Sequence, residues 1–378
     1  MTTTLALDVE IAADVLARIA SGAIGADESG HLDSDVVGAL AATGINRLLM
    51  PAELGGLAAS PRRAVEVVEQ LAAADGSTAW AAAIGFGTNH FAGYLPPDGA
   101  AEVFADPDRS NASMFAALAE VAEDTDGTLR LTGRWPFTSN CEQAAWLGLA
   151  ARFPGETETR LVFVPRTEVT IHPTWDAAGL RATASHDTSV ADLEVHRRHT
   201  CSFADRPWPA GPLWRLPLFV VLAPSLAAVS LGIARGALDE VNRQAGNRRA
   251  QMRGSLLDDP VGMGDLGGAD ALLHGARAGL LAVADECWAR AEAGKPVDRA
   301  LQARAFLAAQ HCSDVAVEVC ATAHRLGGGA AAYLTSPLLR ALRDVETARQ
   351  HAMFSRGLRP HLARTLAGTD EAHPPFVV

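Results

Sequence analysis

The strongest constraint on the fold of this chain is a change of pattern along its length. Residues 9–118 show mainly helical spacing of apolar side chains, most clearly in Pro61–Ala74. Short alternating segments punctuated by Gly and Pro follow, as is typical of a small β domain. From about residue 215, long segments are apolar on one face or nearly all round, which favours a buried bundle. We therefore predict an N-terminal α-helical domain (1–118), a central β-barrel or sandwich domain (119–210) and a C-terminal four-helix bundle (211–378).

The same patterns predict individual elements in the two later domains. Strands are predicted at Leu129–Phe137, Ala145–Ala151, Thr159–Val164, Val169–His172 and Thr188–Val195. Helices are predicted at Ala223–Gln244, Gly268–Ala293, Asp298–Ala323 and Pro337–Thr365, with the glycine-rich, acidic stretch Gly254–Gly268 as a connection.

Composition excludes several classes of protein. The formal net charge of -12 argues against binding to nucleic acid, which needs clustered Lys and Arg. The five cysteines are odd in number and form no C-x-x-C, so we expect neither a metal centre nor a disulfide framework, and a cytoplasmic location fits. The apolar stretch Leu216–Val229 holds two prolines and is too short to span a bilayer, and no signal peptide is recognisable.

Five motifs in order carry a resemblance over nearly the whole chain. They resemble segments of the acyl-CoA dehydrogenase superfamily, whose fold matches the helical, β and helical order predicted above. The first is Pro51–Gly56 with the helix that ends at Ala74, and the second is Leu131–Asn140, which resembles the strand beside the flavin ring. The others are Trp175–Val190, the helix at Gly232–Glu240, and Arg325–Gly329 followed by Arg343-Asp344.

The resemblance implies a flavin site. On these motifs, Trp135, Phe137, Thr138 and Ser139 would line the ring, and the residues for its phosphate would be Arg248, from a neighbouring subunit, with Gly327, Gly328 and Gly329. Without the resemblance, these residues would describe an ordinary strand end, a solvated arginine and a helix–helix turn.

The carboxylate base of an acyl-CoA dehydrogenase is missing from both regions where that family places it. No Asp or Glu occurs between Glu346 and Asp370, and none occurs in Arg206–Leu238. Removal of a proton next to a thioester needs such a base beside the flavin. Instead, His351 stands in the first region. The departure favours the flavin-dependent monooxygenases of the same fold, a branch similar to dibenzothiophene monooxygenase and aromatic hydroxylases.

That branch implies an oxygenase that uses reduced FMN or FAD made by a separate flavin reductase. Oxygen adds to the reduced ring to give a C4a-hydroperoxide, which transfers one oxygen atom to a small, aromatic or polyketide-like substrate. The resemblance implies that Ser139 faces ring N5 and that His90, Tyr94 and His351 act in catalysis. We expect Trp214, Phe219 and Phe354 to line the substrate pocket.

Two alternatives stay open on the sequence. One is an acyl-CoA dehydrogenase with FAD and a base supplied elsewhere, and the other is a non-catalytic homologue that binds flavin or CoA. For any of them, the apolar C-terminal helices exceed the needs of a monomer's core, so we expect a homotetramer.

Overall fold

The computed structural model of the protein describes residues 9–125, 127–245 and 255–369. The N-terminal part is helical, and local capping explains its main boundary. Ser60 caps α3 by accepting from the Arg63 amide, with Pro61 in the first turn, and Asp75 caps α4 through the Thr78 amide. The helices are α1 (Ala13–Ser29), α2 (Ser34–Ala42), α3 (Pro61–Ala74), α4 (Gly76–Asn89) and α5 (Pro97–Val103).

The central domain is one mixed sheet. Its described strands are β1 (Ala112–Glu123), β2 (Leu129–Thr138), β3 (Trp146–Arg152), β4 (Thr159–Pro165), β5 (Thr170–His172), β6 (His186–Val195) and β7 (Thr200–Ser202). They are ordered β5-β6-β2-β1-β3-β4-β7, and β1 pairs parallel with β3 while the other pairs are antiparallel. The predicted barrel or sandwich is therefore a single hydrogen-bonded sheet, with β5 and β7 at opposite ends.

Two strands were not predicted. The first, β1, runs from Ala112 to Glu123, so the predicted boundary between residues 118 and 119 falls inside a strand. Its start, Ala-Ser-Met-Phe-Ala-Ala-Leu-Ala, is rich in good helix formers, and pairing with β2 and β3 overrides that preference. The second, β7, has three residues, too few to show alternation.

The C-terminal part is the predicted helical region, with two corrections. Its helices are α6 (Leu218–Ala245), α7 (Pro260–Glu292), α8 (Arg299–Gly327), α9 (Pro337–Ala348) and α10 (Arg359–Leu366). Most of the predicted glycine-rich connection is helical, because Asp259 caps α7 through the Val261 amide and Pro260 starts it. The predicted helix Pro337–Thr365 is broken after Ala348, and the break contains His351.

Helix α6 forms the centre of the molecule. By length and composition it could cross a membrane, but 94% of its most apolar window is buried within the protein. It packs between α3 and α8, and its buried side chains belong to the large core that joins the N- and C-terminal helices. A separate core lies in the sheet around Leu131, Trp135 and Leu149. The flavin motifs therefore fall where the sheet meets the helical core.

Candidate active site

An exposed aromatic ring stands at the end of β2. Phe137 is 63% exposed and has a φ of +58°, a left-handed conformation that is unusual for a bulky residue. Its carbonyl accepts a hydrogen bond from the Ser139 amide at 2.9 Å, which holds the chain in this turn. Trp175 lies edge-on, with ring centroids 6.2 Å apart. The turn thus presents a flat apolar surface next to the polar residues that follow it.

Ser139 begins a chain of hydroxyl groups just beyond that ring. Its Oγ accepts from the indole N–H of Trp80 on α4 at 3.2 Å and lies 2.7 Å from Oγ of Ser185. The Ser185 Oγ lies 2.8 Å from Oγ1 of Thr183, which donates to the carbonyl of Leu180 at 2.8 Å. All these side chains are buried, so each contact counts in the energy of the site.

His351 lies against the same tryptophan. The ring centroids of His351 and Trp80 are 5.5 Å apart in an edge-on arrangement, and the Phe354 ring is 6.2 Å from His351. Burial lowers the pKa of His351 to about 4, so the imidazole is neutral at pH 7. Its Nδ1 accepts from the Met353 amide at 3.4 Å, which leaves the proton on Nε2 as a donor.

His90 and Tyr94 form a second group with Trp214. The His90 ring stacks on Trp214 at 4.7 Å, and the Tyr94 ring is 5.6 Å from His90. Gly93 permits this packing, because a Cβ there would lie 2.3 Å from the Trp214 ring. Trp80 lies in the second turn of α4, whereas His90 follows the last residue of that helix. The group around Trp80 and the group around His90 therefore lie at different positions along one helix. We see no hydrogen bond or ring contact between them among the described residues.

His90 is a neutral hydrogen-bond acceptor. Burial lowers its pKa to about 4. Its Nδ1 donates to the carbonyl of Leu49 at 3.2 Å, so Nε2 carries a lone pair. That buried Nε2 has no hydrogen-bond partner among the described residues, which is unusual for a native structure and suits a bound donor.

The remaining predicted residues divide between the site and the core. Phe219 packs in an aromatic cluster with Phe115, Phe203 and Phe306, whereas Phe354 contacts His351. Trp135 is a correction: it is fully buried in the sheet core, where its indole N–H donates to the Ala150 carbonyl, so it does not line the exposed face.

The other predicted cofactor residues differ in what the structure describes. The hydroxyl of Thr138 is also buried, paired with Thr188 at 2.9 Å. Gly327 ends α8, Gly328 has a φ of +57°, and a Cβ at Gly328 or Gly329 would meet open space. Arg248 lies outside the described residues.

Matches to known proteins cover almost the whole chain. The families described as acyl-CoA dehydrogenase N-terminal domain and acyl-CoA dehydrogenase C-terminal domain match residues 8–95 and 225–356. The chain is 34% identical to the indole-3-acetate monooxygenase of Pseudomonas putida, over 87% of this chain and 85% of that protein. It is 30% identical to the pigment production hydroxylase of Rhodococcus erythropolis, over 90% and 91%.

The chain belongs to the acyl-CoA dehydrogenase superfamily, in its branch of flavin-dependent monooxygenases. Solved structures of similar proteins have the same fold as this chain. The 3-HSA hydroxylase from Rhodococcus sp. RHA1 superimposes with a TM-score of 0.90 at 25% identity, over 97% of both chains. XiaF from Streptomyces sp., solved with FADH2 and glycerol, gives 0.87 at 25% identity, over 96% of this chain and 97% of that one.

The site of this superfamily member fits a flavin ring by its own geometry. The left-handed conformation of Phe137 holds its ring out of the sheet core, where it forms with Trp175 an exposed aromatic surface that a flat ring can cover. The hydroxyl of Ser139, which could meet a ring nitrogen, follows two residues later. Within the described part of the chain, the side chains in hydrogen-bond or ring contact with Ser139 and His351 are indole, hydroxyl and phenyl groups, and none of these is a carboxylate.

Three residues of this arrangement were not predicted from the sequence. Trp80 stands between two alanines in an alanine-rich helix, where the local pattern indicates only a core residue. Thr183 and Ser185 lie within the Trp175–Val190 motif, which we used for the fold but not for the site. The two hydroxyl residues are two positions apart in that motif, and this spacing could have predicted that they lie in the site.

Proposed function

We propose that the chain is the oxygenase component of a two-component monooxygenase that hydroxylates a small aromatic substrate. The observation that carries this proposal is the group formed by Ser139, Trp80 and a neutral His351, whose hydrogen-bond and ring partners among the described residues include no carboxylate. An acyl-CoA dehydrogenase needs a carboxylate there, whereas oxygen transfer needs hydrogen-bond donors and acceptors in a dry pocket.

Reduced FMN or FAD, delivered by a separate reductase, would supply two electrons so that one atom of O2 enters the substrate and the other leaves as water. Phe137 and Trp175 would hold the ring, and Ser139 would offer its hydroxyl to the N5 edge. His351 would hold a proton on Nε2 for the site. The apolar walls around Trp80 and Phe354 keep water away, which limits loss of the oxygen as hydrogen peroxide.

The substrate end of the site is aromatic. Trp214 and His90 form a stacked pair whose free Nε2 can accept from a hydroxyl or an N–H. Tyr94 beside them also lines a cavity of about 450 Å³ with Trp208 and Arg206. The relatives include proteins named for indole-3-acetate and for resorcinol, both of which are small aromatic compounds. We propose this class of substrate for the chain.

The first test supplies the protein with reduced FMN or FAD from any flavin reductase, together with oxygen and indole-3-acetate or resorcinol. We expect oxygenated product by mass spectrometry, with hydrogen peroxide as the side product. Loss of FAD colour on addition of acyl-CoA, without oxygenation of any aromatic compound, would support the acyl-CoA dehydrogenase alternative. Flavin binding with neither reaction would support a non-catalytic homologue.

The expected partners extend the proposal. We propose a flavin reductase as the source of reduced cofactor and a homotetramer as the working form, in which Arg248 of one subunit meets the cofactor phosphate of another. The five cysteines are unpaired thiols, which suits the reducing cytoplasm that we propose as its location.

A further inference from the structure

The buried hydroxyl chain at the flavin motif has a fixed direction. Trp80 can only donate at one end, because an indole N–H has no lone pair to offer. The Leu180 carbonyl can only accept at the other end, where Thr183 donates to it at 2.8 Å. Each hydroxyl between them has one proton.

The direction follows one hydroxyl at a time. Thr183 donates its one hydroxyl hydrogen to Leu180, so Ser185 must donate to Thr183 across their 2.8 Å contact. Because Ser185 then has no other hydrogen to donate, Ser139 must donate to Ser185 across 2.7 Å. Ser139 therefore accepts from Trp80, donates to Ser185, and keeps one lone pair.

We propose that this row of hydrogen-bonded hydroxyl groups makes the flavin site selective for reduced flavin. The inference rests on the proposed function, which places Ser139 against ring N5. The N5 atom of a reduced flavin has a hydrogen to donate, whereas N5 of an oxidised flavin has only a lone pair. The free lone pair of Ser139 accepts from the reduced form and opposes the oxidised form. Ser185 and Thr183 are positioning residues that act through Ser139, whereas Trp80 only occupies one of its lone pairs.

Counting hydrogen bonds gives the size of the effect. With reduced flavin, the four bonds of the chain persist and N5–H adds a fifth. With oxidised flavin, Ser139 can donate to N5 only if the hydroxyls of Ser185 and Thr183 also reverse their donor direction. That reversal breaks the hydrogen bond from Thr183 to Leu180 and leaves four hydrogen bonds in total. The Leu180 carbonyl stays satisfied by Trp175 at 3.0 Å, so the difference is one bond, or roughly fivefold in affinity.

The same count predicts which substitutions remove the selectivity. In Ser185→Ala or Thr183→Val, the proton of Ser139 is no longer committed and both redox forms make equal numbers of bonds. In Thr183→Ser the chain is intact, so the selectivity is retained. In Trp80→Phe the direction is still fixed by Leu180, so the selectivity also remains. A merely structural role predicts no such division among buried neighbours.

The test measures dissociation constants of oxidised and anaerobically reduced FMN and FAD for the full-length protein and these variants. We expect the dissociation constant of oxidised flavin divided by that of reduced flavin to fall about fivefold in Ser185→Ala and Thr183→Val, which lowers the potential of the bound flavin by about 20 mV. This ratio should stay unchanged in Thr183→Ser, in Trp80→Phe and in the control Thr88→Val, whose buried hydroxyl pairs with Ser113 and not with the hydroxyl groups of the site.

Two results overturn the inference in different ways. An unchanged ratio in both Ser185→Ala and Thr183→Val, with tight flavin binding in each, contradicts the selectivity but leaves the proposed function standing. If neither redox form of FMN or FAD binds the unmodified protein, the proposed function fails and the inference with it.

Discussion

Single residues set the polarity of the active site through burial. Burial lowers the pKa values of His90 and His351 to about 4, and both therefore work as neutral rings near pH 7. They differ in tautomer: His351 offers a proton from Nε2, whereas His90 offers a lone pair from Nε2. One ring is thus suited to donate and the other to accept.

Burial of His90 makes folding depend on pH. Because its folded pKa lies below the ordinary value of about 6.5, the unfolded state takes up a proton first, and stability is lost as pH falls from about 6.5 toward 4. Relative to His90→Gln, the free energy of unfolding of the natural protein should drop by about 3 kcal/mol over that range. Denaturant titrations at several pH values measure it. The exposed His311→Gln is the matched control, and a parallel pH dependence of the natural protein and His90→Gln would refute the burial argument.

Loss of the Ser139 hydroxyl should weaken coupling between flavin oxidation and product formation. Ser139→Ala removes the group that meets N5 and also leaves the buried Trp80 N–H without its acceptor. We expect the ratio of oxygenated product to hydrogen peroxide to fall about fivefold, as for the loss of one hydrogen bond. Ser113→Ala, whose hydroxyl pairs with Thr88, provides the control. An unchanged ratio would remove Ser139 from the reaction.

Among the secondary structure elements, helix α9 is clamped to the turn that carries the hydroxyl chain. The Leu180 amide donates to the buried Asp344 carboxyl at 2.6 Å. At Gly179 a Cβ would lie 2.2 Å from the Arg343 carbonyl, so only glycine permits the close approach. Burial, with the nearby Asp75 charge, raises the pKa of Asp344 to about 7. The Arg343-Asp344 motif thus positions the turn at residues 180–185.

Burial of Asp344 predicts a pH effect opposite to that of His90. Because the folded pKa of Asp344 is raised, its contribution is complete at low pH and is lost as pH rises from about 4 through 7. Relative to Asp344→Asn, which keeps an acceptor oxygen, the natural protein should lose on the order of 4 kcal/mol over that range, as denaturant titrations at several pH values can measure.

Asp344→Ala should destabilise the protein by about 2 kcal/mol more than Asp344→Asn, because the Leu180 amide loses its acceptor. Thermal and denaturant unfolding of the two variants can be compared directly at pH 5. Equal stability of the two would show that the hydrogen bond contributes little.

For the whole molecule, periodicity was enough to predict the order of helices, sheet and helices. Long apolar helices such as α6 and α8 have an unmistakable pattern, and the family motifs then predicted where a flavin lies. Strand β1 was missed because its alanine-rich start suits a helix until two partner strands are present. Trp80 was missed because its partner Ser139 lies 59 residues away, a contact that no local pattern shows.

The proposed tetramer is also a property of the whole molecule. Helix α7 keeps an exposed face on which a Cβ at Gly264, Gly267 or Gly268 would meet nothing, and Val261 is 72% exposed nearby. Light scattering should give a mass of four chains rather than the 39.5 kDa of one chain. Gly268→Arg, on this face, should lower the mass if the face packs against another subunit, while a mass of one chain for the natural protein would contradict the tetramer.

The central claim is that this chain uses reduced flavin to place an atom of O2 on an aromatic compound. A single-turnover reaction with anaerobically reduced flavin, 18O2 and indole-3-acetate or another small aromatic acid tests it directly. The account predicts product heavier by one 18O atom, with less of it in Ser139→Ala. Reoxidation of the flavin without 18O in any aromatic product, together with reduction of bound FAD by an acyl-CoA, would contradict it.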